Sequence, residues 1–263
     1  MYDTEAYLRA IGFSGPVYTE PKTLRKLHRV HMMAIPYNDA RTVGRGTPVP
    51  ADAGVDLDEI FDTAVLRRCG GVCLELNTLF RRLLRELGFQ AEYLSAGVRR
   101  PDGGFGPDLE HLILGVRLTG TLWLVDVGFA GPGYLEPLRV GEGVQTQFGC
   151  DYRVVRADSY LVVERRARGG GWSAVYRLRD QARTVEDWSR SGAGNREDGA
   201  QAVRGAPGAG STVTRSRALE NGQMVLVGRR LLTVEDGHER VSVLAKTADF
   251  DQAVDLIMGQ ADR

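Results

Sequence analysis

Apolar residues in the first ninety positions of the chain recur at helical spacing. A helix is predicted over about residues 73–87, where apolar side chains return every three or four positions and Gly88 follows as a stop. The apolar positions of this helix are Leu76, Leu79, Phe80, Leu83, Leu84 and Leu87. An earlier helix is predicted to follow Pro21 and to end before Pro36. Together these patterns indicate a small helical bundle.

From about Ala91 the apolar period changes to two, which is typical of β-strands. The segments with this period are 92–98, 111–118, 122–127, 152–155, 160–164, 172–178, 224–227 and 230–234. They predict a sheet or barrel in the middle of the chain. Residues 189–215, rich in Gly, Ser, Ala and Arg, are predicted to form a long loop or mobile insertion. The chain is predicted to end in a helix over Thr247–Gln260, with Asp249 or Asp251 as a candidate cap.

Composition narrows the class of protein. With 263 residues, 43% of them hydrophobic and 26% charged, the chain can bury a core and hold one to three domains. Basic and acidic residues balance at 34 each, so neither nucleic acid nor an anionic membrane is expected as a partner. There is no long apolar run or signal-like N-terminus, and three cysteines are too few for a disulfide framework. We therefore expect a cytoplasmic protein that acts on small or neutral molecules.

Cys73 is the first candidate for chemistry, because it opens the predicted helix. Free N–H groups and the positive end of the helix dipole favour a thiolate there, and Gly70-Gly71 suits a tight entry into the helix. The alternative is a buried structural thiol, since cysteine is among the residues most often buried. A metal site with Cys69 would need two more ligands, and none is nearby in sequence, so no metal is expected.

His111 and Asp126 are the candidate base and orienting carboxylate for that thiol. If Thr119-Gly120 is a two-residue hairpin turn, both side chains lie on one face as diagonal neighbours. A three-residue turn would put them on opposite faces. Asp126 lies in an apolar strand and needs a partner if it is buried. The remaining histidines lie on the early helix or in a polar turn: His28, His31 and His238.

Several motifs in the same order together resemble the arylamine N-acetyltransferase family, and they run along most of the chain. They are the opening segment Tyr7–Gly12, the segment His28–Tyr37 ending in Ile-Pro-Tyr, the active-site motif Gly70–Glu75, His111, and the strand segment Trp123–Phe129. The resemblance implies an α+β fold with an N-terminal helical bundle, a central β-barrel and a C-terminal α/β lid. It implies a papain-like Cys-His-Asp triad, with the nucleophile in residues 1–90, the histidine and aspartate in 91–188, and a loop plus lid in 189–263.

In such a protein Cys73 would accept an acyl group from a thioester and pass it to an aromatic amine. His111 would hold the thiol as a thiolate, and Asp126 would orient the imidazolium. Contacts to substrate and acyl donor are implied at Tyr37, Val72, Gly128, Phe129 and Gly131, the last three in a glycine-rich segment in which Ala130 replaces a usual glycine. No tightly bound cofactor is expected; an acyl thioester of coenzyme A or of a carrier protein is the co-substrate.

The chain departs from the family pattern at two paired positions. Cys69 replaces the motif arginine, with Arg68 shifted by one, and Asn38 replaces a glutamate; in the family these positions form an ion pair. Losing both charges can be nearly neutral, whereas losing one is costly. The usual Ser-Thr-His-Pro stretch, which helps to meet coenzyme A, is not recognisable at residues 187–212.

These departures favour one branch of the family, the amide synthases of polyketide and other natural-product pathways. Its members keep the triad and accept acyl chains from carrier proteins, and some close an ansamycin macrolactam through an aromatic amine. An acetyl-CoA-dependent arylamine N-acetyltransferase is the alternative. A cysteine hydrolase would use the same triad with water as acceptor, and a non-catalytic binding module of the same fold would not need the three residues.

Overall fold

The computed structural model describes residues 1–42, 56–191 and 212–259 and has an α+β fold. Its helices are α1 (Thr4–Ala10), α2 (Pro21–Ala34), α3 (Leu57–Ile60) continuing as a π-helical turn (Phe61–Leu66), α4 (Cys73–Glu86), α5 (Val185–Ser191) and α6 (Thr247–Met258). The helix predicted over residues 73–87 is confirmed, and Gly88 follows it with a φ of 90°. No helix in the described ranges is long and apolar enough to cross a bilayer.

The strands of the described part form two antiparallel sheets. They are β1 (Tyr37–Asn38), β2 (Gln90–Val98), β3 (His111–Leu118), β4 (Thr121–Val125), β5 (Leu138–Arg139), β6 (Gln145–Gln147), β7 (Cys150–Ala157), β8 (Tyr160–Arg166), β9 (Ser173–Leu178), β10 (Thr214–Leu219), β11 (Gly222–Val227), β12 (Arg230–Glu235) and β13 (His238–Val243). The central sheet has the order β5-β4-β3-β2-β9-β8-β7-β6, and the C-terminal sheet has the order β1-β10-β11-β12-β13.

The central sheet curls into a nearly closed barrel, and two glutamine side chains join its edge strands β5 and β6. Gln145 accepts from the Arg139 N–H at 2.9 Å and donates to the Arg139 carbonyl at 3.0 Å. Gln147 accepts from the N–H groups of Leu135 and Glu136 at 3.0 and 2.9 Å and donates to the Glu136 carbonyl at 2.8 Å. The side-chain amides thus satisfy backbone groups that an open edge would leave unpaired.

Two apolar layers hold the central sheet in place. The buried face of α4 packs on one side of β2 and β3, and a second apolar cluster fills the barrel interior. Burying each large apolar side chain stabilises the fold by roughly 1.5–3 kcal/mol. The helix face comprises Leu76, Leu79, Phe80, Leu83 and Leu84, and the interior includes Ile113, Leu124, Tyr152, Val163 and Tyr176.

The predicted hairpin between β3 and β4 is confirmed. Thr119 and Gly120 have φ values of 48° and 77°, as both central residues of a type I′ turn require. Leu118 pairs with Thr121, which is the predicted register. β4 ends at Val125, so Asp126 follows it directly. The Asp126 side chain contacts His111, as this register predicts.

The pattern missed β1, β10 and β13 of the C-terminal sheet. β10 begins at Thr214, inside the stretch predicted as a loop, and its buried positions are Thr214, Ser216 and Ala218, so no strong apolar alternation marks it. β13 begins at His238, which was predicted to lie in a polar turn; every residue of β13 is exposed, so no apolar alternation marks it. The turn before it is Asp236-Gly237, with φ values of 48° and 79°. Residues 189–191, the start of the predicted loop, belong to α5, and residues 192–211 lie outside the described residues.

The ends of α6 differ from the prediction. Its N-cap is Lys246 rather than Asp249 or Asp251, and no side chain caps its first turn. Gly259 ends the helix in the left-handed region with a φ of 67°, and Gln260 lies outside the described residues.

The short strand β1 connects the N-terminal half of the chain to the C-terminal sheet. Tyr37 pairs with Ser216 of β10 and also forms a parallel bridge with Gly71. Asn38 pairs with Arg215. The segment before α4 and the C-terminal sheet therefore meet at Tyr37, while the division of the chain at residues 90 and 188 stays a prediction.

Candidate active site

Cys73 is the first residue of α4, with Val72 as its N-cap. The entry is tight: Gly70 has a φ of 67°, and a Cβ there would lie 2.2 Å from the Pro36 carbonyl oxygen. Glu75 accepts from the Val72 N–H at 3.0 Å, which satisfies one donor of the first turn. The thiol is only partly buried and stands at the positive end of a 14-residue helix.

His111 opens β3, and Asp126 directly follows β4; both side chains are buried. His111 Nε2 lies 2.7 Å from Asp126 Oδ2. Burial lowers the pKa of His111, but the Asp126 carboxylate and the Cys73 side chain together raise that pKa to about 10. The ring is therefore an imidazolium at neutral pH. Nε2 donates to Asp126, and the Cys73 side chain is near enough to the ring to contribute to the raised pKa of His111.

The buried carboxylate of Asp126 is fully hydrogen-bonded, as a buried charge requires. Its Oδ1 accepts from Asn77 Nδ2 at 3.1 Å and from the Gly128 N–H at 3.0 Å. Its Oδ2 lies 2.7 Å from His111 Nε2 and accepts from it. The carboxylate is thus held in one orientation by groups from three segments of the chain.

A second layer of buried aromatic residues lies behind Asp126. The hydroxyls of Tyr176 and Tyr134 are 2.8 Å apart, and burial raises the pKa of both phenols well above the ordinary value. Both phenols therefore keep their protons, and the Tyr176 hydroxyl donates to that of Tyr134. Tyr134 in turn stacks on the ring of His28 with centroids 5.8 Å apart.

His28 supports the backbone of Asp126. Burial lowers the pKa of His28, so its ring is neutral and carries one N–H. Nδ1 lies 2.9 Å from the Leu135 carbonyl oxygen, and Nε2 lies 3.0 Å from the Asp126 carbonyl oxygen and 3.2 Å from the Asp126 backbone nitrogen, so the one ring N–H donates to one of these two carbonyls. Sequence reasoning left His28 without a role, as it did Asn77 and Tyr176. One signal was present: Asn77 is a polar residue on an otherwise apolar helix face.

The residues predicted to contact substrate and acyl donor lie around this centre. Tyr37 and Phe129 are half-buried and line one pocket with Val127. The C-terminal sheet completes the pocket with Ser216 and Gln223.

The remaining predicted contacts lie along the backbone near the thiol. Val72 is buried as the N-cap beside Cys73, and Gly131 is buried in the loop after Phe129. The ring of Phe129 lies 5.4 Å from that of His111. No cluster of His, Cys, Asp or Glu suited to a metal ion occurs in residues 1–42, 56–191 or 212–259.

The two substituted motif positions contact each other without charge. Asn38 Nδ2 donates to the Cys69 carbonyl at 2.9 Å, and Asn38 Oδ1 accepts from the Ala40 N–H at 3.1 Å. The Cys69 thiol lies 3.7 Å from the Arg67 carbonyl oxygen. A neutral hydrogen bond therefore joins the positions at which the family has an ion pair, so no charge is left buried alone.

Gly128 is in close contact with the helix that carries the thiol. A Cβ at Gly128 would lie 2.7 Å from Cys73 Cα and 2.8 Å from Asn77 Nδ2. Gly128→Ala is therefore expected to displace the start of α4 and to lower activity by roughly tenfold to a hundredfold, the cost of misplacing a reacting group by about 1 Å. Turnover of a thioester and an aniline measures this.

Gly143→Ala is the matched control, because nothing lies within 4 Å of a Cβ at that exposed turn. Equal activity of Gly128→Ala and Gly143→Ala would show that the contact with Cys73 does not position the thiol.

A partly exposed thiol at a helix start and a buried histidine–aspartate pair near it suit a cysteine-dependent transferase or hydrolase. A family model described as N-acetyltransferase matches residues 21–258. The chain is 37% identical over 260 residues to proansamycin X synthase of Amycolatopsis mediterranei, covering 98% of this chain and 97% of that protein.

Two solved structures share the fold. The arylamine N-acetyltransferase from M. tuberculosis is 26% identical with a TM-score of 0.81, covering 98% of this chain and 93% of that one. The Mycobacterium marinum arylamine N-acetyltransferase in complex with CoA is 26% identical with a TM-score of 0.77, covering 98% and 92%. The chain belongs to the arylamine N-acetyltransferase family and is an acyltransferase of that family.

Proposed function

We propose that this acyltransferase is an amide synthase of natural-product biosynthesis. It transfers an acyl group from a thioester, through an acyl-Cys73 intermediate, to an aromatic amine. The contact of Cys73, His111 and Asp126 carries the chemical part of the proposal. Similarity to proansamycin X synthase along nearly the whole chain supports the choice of branch.

Acylation begins with the Cys73 thiolate, which attacks the thioester carbonyl while the His111 imidazolium stands beside it. A bond forms between Cys73 Sγ and the acyl carbon, and the bond from that carbon to the donor sulfur breaks. The proton of His111 goes to the departing thiolate, which leaves as a thiol. Free N–H groups at the start of α4 stabilise the oxyanion that forms in between.

In the second half of the reaction, amide formation restores a proton to His111. The aromatic amine, neutral at pH 7, attacks the acyl carbon, and its proton passes to the now neutral ring of His111. The bond to Cys73 Sγ breaks, which restores the thiolate and the imidazolium. Asp126 keeps the ring oriented throughout and stabilises its charged form. The reaction is therefore ping-pong, with the enzyme acylated before the amine is used.

Substrate and donor contacts are proposed at the residues that surround the thiol. Tyr37 and Phe129 would present their rings to the acyl chain or the amine, since both line one pocket and the ring of Phe129 lies 5.4 Å from that of His111. Val72, Gly128 and Gly131 would bring backbone close to the thioester. A papain-like triad in this position would serve any acyl thioester, so the triad alone does not choose the donor.

The donor is proposed to be an acyl thioester larger than acetyl, carried on a carrier protein. The neutral Asn38–Cys69 contact, in place of the family's ion pair, supports this choice. Residues 187–212, where the family meets coenzyme A, also lack the usual motif. The second candidate, an acetyl-CoA-dependent arylamine N-acetyltransferase, is supported by the likeness to the M. marinum enzyme that was solved with CoA.

Intact mass spectrometry separates the two candidates. We expect N-acetylcysteamine or pantetheine esters of longer acyl chains to acylate Cys73 faster than acetyl-CoA does, with the adduct located by peptide mapping. If acetyl-CoA is clearly the better donor, the amide-synthase proposal is wrong and the second candidate stands. If the acyl-enzyme is released as free acid equally fast with and without an aniline, the chain is a hydrolase.

A further inference from the structure

The β3–β4 ladder stops short of the residues that carry the candidate chemistry. Its last pair is Leu114 with Val125. In the same antiparallel register, Ile113 would next face Asp126, and Leu112 would then face Val127 as a hydrogen-bonded pair. That pair does not form.

The side-chain amide of Asn77 lies in the gap. Its Nδ2 donates to the Leu112 carbonyl at 2.8 Å, and its Oδ1 accepts from the Val127 N–H at 3.0 Å. The amide thus satisfies the Val127 N–H and the Leu112 carbonyl, the donor and acceptor of one of the two bonds that this pair would have exchanged. Asn77 is fully buried, so water does not replace these bonds if the amide is removed.

The same amide also orients the carboxylate. The second hydrogen of Asn77 Nδ2 goes to Asp126 Oδ1 at 3.1 Å, beside the bond from the Gly128 N–H. Since Oδ1 is held from two sides, Oδ2 is directed at His111, 2.7 Å away. The Asn77 amide between the strand ends therefore determines which carboxylate oxygen of Asp126 faces the His111 ring.

Asn77 is part of α4, the helix that begins at Cys73. Asn77 lies one turn after Cys73 on α4, so the three bonds of its amide tie that helix to β3 and to the residues that follow β4. The distance from the thiol to the ring is then set by one short side chain. Gly128 also packs against Cys73, so the start of α4 contacts the residues after β4 at a second point.

We infer that Asn77 is a positioning residue for the acyl transfer: its amide, inserted between the ends of β3 and β4, aligns the His111–Asp126 pair with the Cys73 thiol. This inference rests on the proposed function of the three residues. It assigns Asn77 no contact with substrate.

Asn77→Ala in the full-length enzyme is the first test, and Thr78→Val is its matched control. Thr78 is the next residue of the same helix, is buried, and has a hydroxyl without a hydrogen-bond partner among the described residues. We expect Asn77→Ala to lower kcat by roughly tenfold to a hundredfold with KM nearly unchanged, because a reacting group is misplaced while binding surfaces stay. Thr78→Val should keep wild-type kcat.

A structural role alone would not move the ionisation of the ring, so the decisive readout is the titration of His111 by ¹⁵N-histidine NMR. In the wild type His111 should stay charged well above the ordinary pKa of histidine, and in Asn77→Ala its titration should move toward neutral pH. An unchanged His111 titration and kcat in folded Asn77→Ala overturns the inference. A wild type with the raised titration but no acyl-Cys73 instead overturns the proposed function.

Asn77→Asp decides the matter if Asn77→Ala does not fold. It places a second carboxylate next to Asp126, so the pair must share one proton, and its pKa is raised by the like charge. Activity should be retained at low pH and lost as pH rises and the shared proton leaves, a loss that the wild type does not show. A wild-type pH profile overturns the inference. The titratable groups facing this position are Asp126, His111, Cys73, Tyr176 and, through the Asp126 backbone, His28.

Discussion

Replacing Cys73 with alanine is expected to abolish acyl transfer, with a fall in rate of roughly 10⁴-fold or more, because no covalent intermediate can form. Cys73→Ser should be nearly as inactive, since a hydroxyl is far harder to ionise than a thiol beside an imidazolium. The thiol alone stands at the start of α4 within reach of the His111 ring. Transfer from an N-acetylcysteamine thioester to an aniline measures the loss, and intact mass spectrometry should show no acyl adduct.

Cys69→Ala is the matched control for this experiment. Cys69 lies four residues earlier, its thiol faces the carbonyl of Arg67, and its backbone carbonyl, which alanine keeps, accepts from Asn38. Most of the activity should therefore remain. An acyl adduct on Cys69 in the wild type, or full activity in Cys73→Ala, would contradict the assignment of the nucleophile.

His111→Gln is expected to lower acyl transfer by roughly 10²–10⁴-fold, the usual contribution of a positioned acid or base. Glutamine can still donate to Asp126 but cannot carry the positive charge that stabilises a thiolate. The profile of iodoacetamide alkylation against pH should therefore differ between the wild type and His111→Gln, with slower alkylation of Cys73 in the variant at neutral pH because the thiolate loses its charged neighbour.

His238→Gln is the control for the histidine, because His238 is exposed on β13. It should leave both the transfer rate and the alkylation profile unchanged. If His111→Gln has the alkylation profile of the wild type, the imidazole does not hold the thiolate and the mechanism proposed here is wrong.

The ion pair between His111 and Asp126 makes the free energy of unfolding depend on pH. The pKa of His111 is raised in the folded state to about 10, above its value in the unfolded chain. Its contribution to the free energy of unfolding is therefore complete below about pH 6.5 and is lost as the pH rises toward 10. Between these limits the Tm of the wild type should fall more steeply with pH than the Tm of His111→Gln.

Local sequence rules were sufficient for the helix and the hairpin that carry the three candidate residues. The apolar period and Gly88 set the length of α4 and put Cys73 at its start. The Thr119-Gly120 turn set the register of β3 and β4 and hence the side on which Asp126 lies. In both cases the decisive interactions join residues close in sequence, so periodicity and turn chemistry report them.

Strands without an apolar face were beyond the same rules. Every residue of β13 is exposed, and β10 buries Thr214, Ser216 and Ala218, which differ little from loop residues in hydrophobicity. These segments become strands because neighbouring strands pair with their backbones. A backbone hydrogen bond leaves almost no trace in side-chain composition.

The sequence by itself determined the candidate residues for the chemistry: a thiol at a helix start, and a carboxylate whose burial after an apolar strand demands partners. Only the tertiary structure decided which side chains those partners are. Asn77, 49 positions before Asp126, donates to its carboxylate, and His28, 98 positions before it, contacts its backbone. A buried charge requires hydrogen bonds, but any donor of suitable reach satisfies that requirement. The packing of helices against the barrel determines which donors are available. Only that packing brings side chains that are distant in sequence into the same buried region.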